Sequence, residues 1–147
     1  MRYQVRVIEV AARPTAVVPA TTTWKKFPTL WKDLLDEVWT CLHAGGVYRG
    51  CPNVMLYLDD TPQVEVGVEL RVPCVLTGRV VASALPEGPA AMTIHRGSYA
   101  GLAAAHWAVL DWCAAQGRQT AGPRWEIYGP HNDDPGKVWT ELYYLLR

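Results

Sequence analysis

The stretch VMLYLDDTPQVEVGVELRV, residues Val54–Val72, decides the fold class. Its second part, residues 63–72, alternates apolar and polar side chains, which is typical of a strand with one buried face. Its first part, residues 54–58, is a short apolar run that also predicts a strand. Residues 59–62 form a turn sequence, DDTP, between the two. The middle of the chain is therefore an antiparallel hairpin, and Gly67 marks a close approach of backbone or ligand.

Toward the N-terminus, the pattern predicts one strand and one helix. Residues 3–10 alternate as a strand does, with a start at residue 2 or 3. Pro14 and Pro19 bracket a short loop or edge segment, because proline removes a ladder donor. A helix is expected from Trp24 to His43, since apolar residues recur every four positions there; threonines 21–23 offer its N-cap and glycines 45–46 its end.

Toward the C-terminus, the same reasoning predicts four strands around a second helix. Strands are expected at 78–84, 90–95, 123–128 and 138–146, and the helix at about 100–116. Leu102, Ala105, Val109 and Trp112 form its apolar stripe, and Gly117 closes it. We therefore predict an α+β fold in a single domain, residues 1–147, of two strand-helix-strand-strand modules, about 1–75 and about 76–147.

Composition excludes several classes of protein. Lys plus Arg and Asp plus Glu number 14 each, with no basic cluster, which argues against direct nucleic-acid binding and against an anionic membrane surface. The N-terminus lacks a signal-peptide pattern and no segment is apolar enough to span a bilayer, so a cytoplasmic location is expected. The four cysteines and four histidines lack metal-ligand spacing, so we expect no metal and no cofactor, with buried, reduced cysteines.

Aromatic composition points to a cavity. The chain holds seven Trp and seven Tyr but one Phe. Because the N–H of a buried Trp and the O–H of a buried Tyr need a hydrogen-bond partner, these side chains are common where their polar end can contact water. A lined cavity explains this surplus; interface use or lineage bias explains it equally well.

Several segments taken together resemble the GyrI-like family, the effector-binding domains of AraC-type and MerR-type multidrug regulators. The likeness runs from residue 55 to the end. The segments that carry it are Tyr57–Pro62, Val64–Val68, the His95-Arg96-Gly97-Ser98-Tyr99 motif before a helix with Leu102 and Trp112, the strand Gly122–Tyr128, Asn132–Pro135 and Thr140–Leu142.

This resemblance implies an architecture and a site. In the family, two strand-helix-strand-strand modules pair about a pseudo-twofold axis, giving an antiparallel curved sheet with two long helices around a central ligand cleft. It implies that Glu126 lies in that cleft among aromatic rings and meets cationic ligands. The chain departs from these regulators in one respect, since no helix-turn-helix is expected before the first strand, and we expect a sensor domain without a DNA reader.

The residues of the predicted site each have an alternative. Glu126 shares a strand face with Arg124 and Tyr128, so it either lines an aromatic pocket or pairs with Arg124 or Arg96 on a solvated face. Tyr99 is either a helix-start staple or a pocket wall, and Tyr57 shares that ambiguity. Trp139 and Tyr143, on one face of the last strand, are assigned to the pocket. Trp107 and Trp39 reach the cleft or pack in the core. The four histidines are expected to be structural or surface residues.

Three functions fit these features. The first is binding of small hydrophobic, often cationic, compounds, for sequestration or sensing. The second is hydrolysis of cyclopropane-bearing, DNA-alkylating natural products, which the family also implies; Glu126 would be the general base and Tyr99 or Tyr128 would polarise a carbonyl. The third is a gyrase-inhibitor-like role with a protein partner, gyrase or a regulator. The sequence leaves the natural ligand, turnover and the choice between monomer and homodimer open.

Overall fold

The structure, a computed structural model, describes residues 3–147 and contains eight strands and two helices. The strands are β1 (Arg6–Val10), β2 (Arg13–Thr21), β3 (Asn53–Tyr57), β4 (Gln63–Glu69), β5 (Val81–Leu85), β6 (Gly88–Arg96), β7 (Thr120–Tyr128) and β8 (Trp139–Leu146). The helices are α1 (Phe27–Ala44) and α2 (Leu102–Ala115), the latter preceded by a 3₁₀ turn, Tyr99–Gly101. The predicted α+β class is confirmed, and the strand pairs described within each unit are antiparallel.

The chain divides into two compact units. One holds Ala12–Leu85, with strand order β5-β2-β4-β3 and helix α1. The other holds the described part of the first eleven residues with Pro86–Arg147, with strand order β1-β6-β8-β7 and helix α2. The predicted module boundary near residue 75 differs from this division. The reason is pairing: β5 is bonded to β2, and β1 is bonded to β6 across 78 to 86 residues of sequence.

The prediction of a loop or edge segment around Pro14 and Pro19 was wrong, because β2 is a nine-residue strand with neighbours on both sides. The pairing explains how it tolerates two prolines. Pro14 lies opposite Ala84 of β5, and its carbonyl accepts the amide of Leu70, one residue past the end of β4, at 2.8 Å. Pro19 lies opposite Glu65 of β4, beyond the end of β5. Both prolines lie near an end of β2, where a missing N–H removes at most one ladder bond.

Both helices keep the predicted apolar stripes with small changes at their ends. Helix α1 begins at Phe27, three residues later than predicted, with Pro28 in its first turn, while Thr23 Oγ1 accepts the Lys26 amide in the preceding turn at 3.2 Å. Gly46, with φ of 85°, confirms the predicted end. Helix α2 buries Ala105, Val109 and Cys113 against its own sheet, with Trp112 partly buried beside them.

Several positions of one unit correspond to positions of the other by sequence spacing. The spacing from Leu34 to Ala105 equals that from Val38 to Val109, and all four side chains are buried. The same spacing takes Met55 of β3 to Glu126 of β7. The predicted repeat of pattern is therefore present in the strand order of each unit. The pseudo-twofold axis and the cleft between modules stay predictions, and residue 2, one predicted start of the first strand, lies outside the described residues.

The remaining sequence predictions concern cysteines and membrane spans. All four cysteines are free thiols; Cys41, Cys51 and Cys113 are buried and Cys74 is half-buried. Neither α1 nor α2, the two α-helices among residues 3–147, is long and apolar enough to cross a membrane.

Candidate functional site

Strand β7 places a carboxylate in the interior of its unit. Alternation along β7 sets Arg124, Glu126 and Tyr128 on one face. Glu126 is only 5% exposed, and the Tyr128 hydroxyl donates a hydrogen bond to its Oε1. The alternative of a solvated face is therefore wrong for Glu126. Arg96 lies on the other face, since it pairs with Trp139 of β8.

Helix α2 supplies a second partner to this carboxylate. His106 Nε2 lies 2.6 Å from Glu126 Oε2, and its Nδ1 lies 2.6 Å from the Tyr144 hydroxyl. Tyr144 shares the face of Glu126, because it pairs with Arg124 across β7 and β8. A buried carboxylate without donors costs several kcal/mol, roughly 2–7 for a polar group and more for a charge. The donors from His106 and Tyr128 offset that cost.

Aromatic rings border the carboxylate. The ring of Tyr99 meets that of Tyr128 edge-on, with centroids 5.8 Å apart, and the ring of His106 meets that of Tyr144 at 5.6 Å. Tyr99 is 51% exposed, so the cluster runs from a buried acid to an open ring at the start of α2. The structure therefore brings three of the predicted site residues together, and we call Tyr99, His106, Glu126, Tyr128 and Tyr144 the Glu126 cluster.

Two other predicted pocket residues lie on the opposite face of the same strands. Tyr143 stacks on Trp125 with centroids 5.3 Å apart and an interplanar angle of 4°, and its hydroxyl donates to Glu141 at 2.7 Å. Trp139 lies against Gly129, where an added Cβ would come within 2.4 Å of the indole ring. The structure does not bring Trp139 and Tyr143 to Glu126, because odd and even positions of β8 point to different faces.

The remaining predicted site residues occupy other surroundings. Trp107 is 65% exposed on α2. Tyr57 belongs to the unit of Ala12–Leu85, where it contacts Trp24 and Phe27. Trp39 belongs to that unit too, and its Nε1 donates to Asn53 Oδ1 at 2.7 Å.

The repeat between units shows which features of the Glu126 cluster the fold itself needs. Tyr57 corresponds to Tyr128, and its hydroxyl contacts Met55 as that of Tyr128 contacts Glu126. Phe27 meets Tyr57 edge-on, as Tyr99 meets Tyr128. The aromatic frame is thus common to both units.

The polar residues belong to one unit alone. Three positions are apolar in the unit of α1 and polar in the unit of α2. They are Met55 and Glu126, Leu35 and His106, and Val68 and Tyr144. The unit of α1 thus has the same order of elements with apolar side chains at these positions.

Sequence reasoning missed His106 and Tyr144. His106 was expected to be structural or on the surface, as His95 is: its ring bonds the Tyr3 hydroxyl and the Ser98 carbonyl. A signal was available, because His106 lies four residues after Leu102 and three before Val109, at the border of the buried stripe. No cluster of acidic, His or Cys side chains within residues 3–147 has the arrangement of a metal site.

Comparison with known proteins places this geometry in context. A family model described as the GyrI-like small molecule binding domain matches residues 3–147. A search of curated proteins found no match. Among solved structures, the C-terminal domain of EcmrR has a TM-score of 0.76 at 18% identity, covering 100% of this chain and 99% of that one. In the EcmrR–DNA complex, at TM-score 0.74 and 18% identity, the match covers 99% of this chain and 57% of that one.

Two further structures share the fold. SAV2435 bound to tetraphenylphosphonium has a TM-score of 0.67 at 14% identity, covering 100% of this chain and 94% of that one. A hydrolase from Listeria innocua has a TM-score of 0.61 at 14% identity, covering 99% and 93%. At these identities the likeness concerns the fold.

Proposed function

This chain belongs to the GyrI-like family of small-molecule binding domains, and we propose that its ligands are small, largely apolar and often cationic compounds held beside Glu126. The observation that carries the proposal is a buried carboxylate bordered by aromatic rings, at a position where the repeated unit has a methionine. The unit of α1 is built with Met55 at this position, so we infer that Glu126 serves binding of a ligand.

The chemistry of the cluster suits a lipophilic cation. A carboxylate in surroundings of low polarity attracts positive charge more strongly than one in water does. The faces of Tyr rings add cation–π contacts of about 0.5–2 kcal/mol each. The exposed ring of Tyr99 lies next to the ring of Tyr128 and gives an apolar ligand an accessible contact surface near the buried acid. SAV2435, which shares the fold, was solved with tetraphenylphosphonium, so this cation is the appropriate probe.

The experiment compares two glutamates of one sheet. Glu126→Gln removes the charge from the proposed site. Glu141→Gln removes a charge from the opposite face of the neighbouring strand, where Tyr143 donates to Glu141 much as Tyr128 donates to Glu126. Each variant and the unaltered protein are titrated with tetraphenylphosphonium, with intrinsic Trp fluorescence and calorimetry as readouts.

We expect saturable binding that Glu126→Gln weakens by about tenfold or more, as the loss of about 1.4 kcal/mol or more of charge attraction requires. Glu141→Gln should bind as the unaltered protein does. Equal weakening in both variants, or unchanged affinity in Glu126→Gln, would contradict the role of Glu126. A neutral ligand of similar size, triphenylphosphine oxide, should be affected far less by Glu126→Gln.

A second candidate function is hydrolysis of cyclopropane-bearing natural products in the same cluster. The contact that favours it is the one between His106 and Glu126, because a carboxylate joined to an imidazole is equipped to accept a proton from water. Tyr99 or Tyr128 would then polarise a substrate carbonyl. Turnover of such a compound, abolished in Glu126→Ala and retained in Glu141→Gln, would support an enzyme. Binding without turnover would leave the chain a sequestering or sensing module.

A further inference from the structure

His106 connects the two ends of a hydrogen-bond chain across three elements. Tyr128 and Glu126 come from β7, His106 from α2 and Tyr144 from β8. Both ring nitrogens are engaged, each at 2.6 Å, and the imidazole side chain is 23% exposed, so solvent protons reach it.

All the bonds of this hydrogen-bond chain can be kept in both protonation states of the imidazole. In the neutral ring, Nε2–H donates to Glu126 while Nδ1 accepts from the Tyr144 hydroxyl. In the protonated ring, both nitrogens donate and the Tyr144 oxygen becomes the acceptor. A hydroxyl serves either role by rotation. Protonation therefore raises the charge of the Glu126 cluster by one while its geometry is kept.

We propose that His106 is the specificity-determining residue of the cluster: a neutral imidazole leaves the site selective for cations, and a protonated imidazole removes that preference. This inference rests on the proposed function of Glu126. Histidine is the side chain whose ordinary charge change falls between about pH 5 and pH 8, so the selectivity is tested across that range. The corresponding Leu35 of the other unit has no such capacity.

The other ionisable groups near His106 do not replace it in this role. From β7 come Arg124, which stays charged at any pH of interest, and Tyr128, a phenol like Tyr144 of β8. On α2, burial raises the pKa of the Cys113 thiol, which keeps it neutral, and Asp111 is exposed.

A second histidine lies on the sheet face that carries Glu126 and Tyr144. His95 of β6 pairs with Thr140 of β8, and its ring nitrogens contact the Tyr3 hydroxyl and the Ser98 carbonyl. Substituting His106 alone separates the contribution of His106 from that of His95.

The test uses His106→Gln, which keeps a donor for Glu126 and an acceptor for Tyr144 but does not titrate. Affinities for tetraphenylphosphonium and for neutral triphenylphosphine oxide are measured at about pH 5.5 and about pH 8. In the unaltered protein we expect cation affinity to fall by about tenfold or more at the lower pH, as a unit charge nearby would produce, with the neutral ligand changed less than about twofold. In His106→Gln the cation affinity should stay near its high-pH value at both.

A second measurement follows the imidazole directly. Nitrogen-15 NMR of the histidine side chains, with His106 assigned by comparison with His106→Gln, should show its protonation over the same pH range in which cation affinity falls. The inference is overturned if His106→Gln keeps the pH dependence of the unaltered protein, or if His106 holds one protonation state throughout.

Failure of this inference is distinguishable from failure of the proposed function. If Glu126→Gln abolishes cation binding while His106→Gln changes nothing, the role of His106 alone is lost. If neither compound binds saturably at about pH 8, or if Glu126→Gln binds the cation normally, both ideas fall together.

Discussion

Replacing Glu126 and His106 by the side chains of the repeated unit tests whether the polar cluster serves the fold or a ligand. The variants are Glu126→Met, after Met55, and His106→Leu, after Leu35, singly and together. All positions concerned lie on equivalent parts of the two units, so side-chain volume and backbone are matched. The prediction is a non-additive cycle in which the double variant is more stable than at least one single variant.

The magnitudes follow from the contacts. His106→Leu takes one donor from a carboxylate that is 5% exposed, which should cost about 2–4 kcal/mol of unfolding free energy. Glu126→Met removes an acceptor from the N–H of His106 and from the hydroxyl of Tyr128, at about 1–3 kcal/mol each, against about 1.5–3 kcal/mol gained by burying an apolar side chain.

The double variant removes both members of the pair at once. Tyr128 would then meet a methionine, as Tyr57 meets Met55 at 3.6 Å in the other unit. Replacing both partners by apolar groups is nearly neutral, so we expect a cost of about 0–2 kcal/mol and, from the midpoints of these ranges, a coupling energy of about 4 kcal/mol.

The assay is urea denaturation followed by far-UV circular dichroism, with the tetraphenylphosphonium affinity of each folded variant alongside. We expect the double variant to fold well and to have lost its preference for the cation. Additive single effects, or a double variant less stable than either single one, would refute the idea that these polar residues are dispensable to the fold.

Two further outcomes test the framework of the other unit. Gly67→Ala should lower the unfolding free energy by about 3 kcal/mol or more, because its Cβ would lie 1.9 Å from the carbonyl oxygen of Ala16. Gly78→Ala has open space around the new Cβ but a φ of 63°, so it should cost about 1 kcal/mol. Equal midpoints of the two variants in thermal denaturation would contradict this difference. Backbone amides, that of Gln63 above all, hold the pKa of Asp59 below its ordinary value of 3.8. Its carboxylate therefore adds stability above that pH and loses it as pH falls through the lowered pKa, so denaturation midpoints of the unaltered protein and Asp59→Asn should converge in acid and differ at neutral pH.

Sequence reasoning succeeded wherever a local pattern carries the information. The hairpin of residues 54–72 and both helices lie within a few residues of their predicted places, because alternation and four-residue recurrence record which side of an element is buried. Gly67 was correctly linked to a close approach, and the structure shows that the approaching group is the backbone of β2. The family resemblance from residue 55 onward extends, in the matching family model, to residues 3–147.

The errors share one cause. Pro14 and Pro19 argue against a strand, but the pairing of β2 places both near its ends, where a missing N–H removes at most one ladder bond. Tyr143 and Trp139 were grouped with Glu126 because alternation states that a strand has two faces without stating which one meets a given helix. The contact of His106 with Glu126 could not be predicted, because nothing in the local sequence of His106 indicates a partner 20 residues away.

The sequence by itself determined the elements other than β2 and their order, since these follow from short-range steric and hydrophobic rules, and its motifs indicated the family. Only the tertiary structure decided that Glu126 is buried, that His106 and Tyr128 hold its two oxygens, and that the matching positions of the other unit are apolar. The physical reason is that a hydrogen bond between side chains from different elements depends on strand register and helix rotation. Those are fixed by the packing of the whole unit, and no single segment of the chain encodes them.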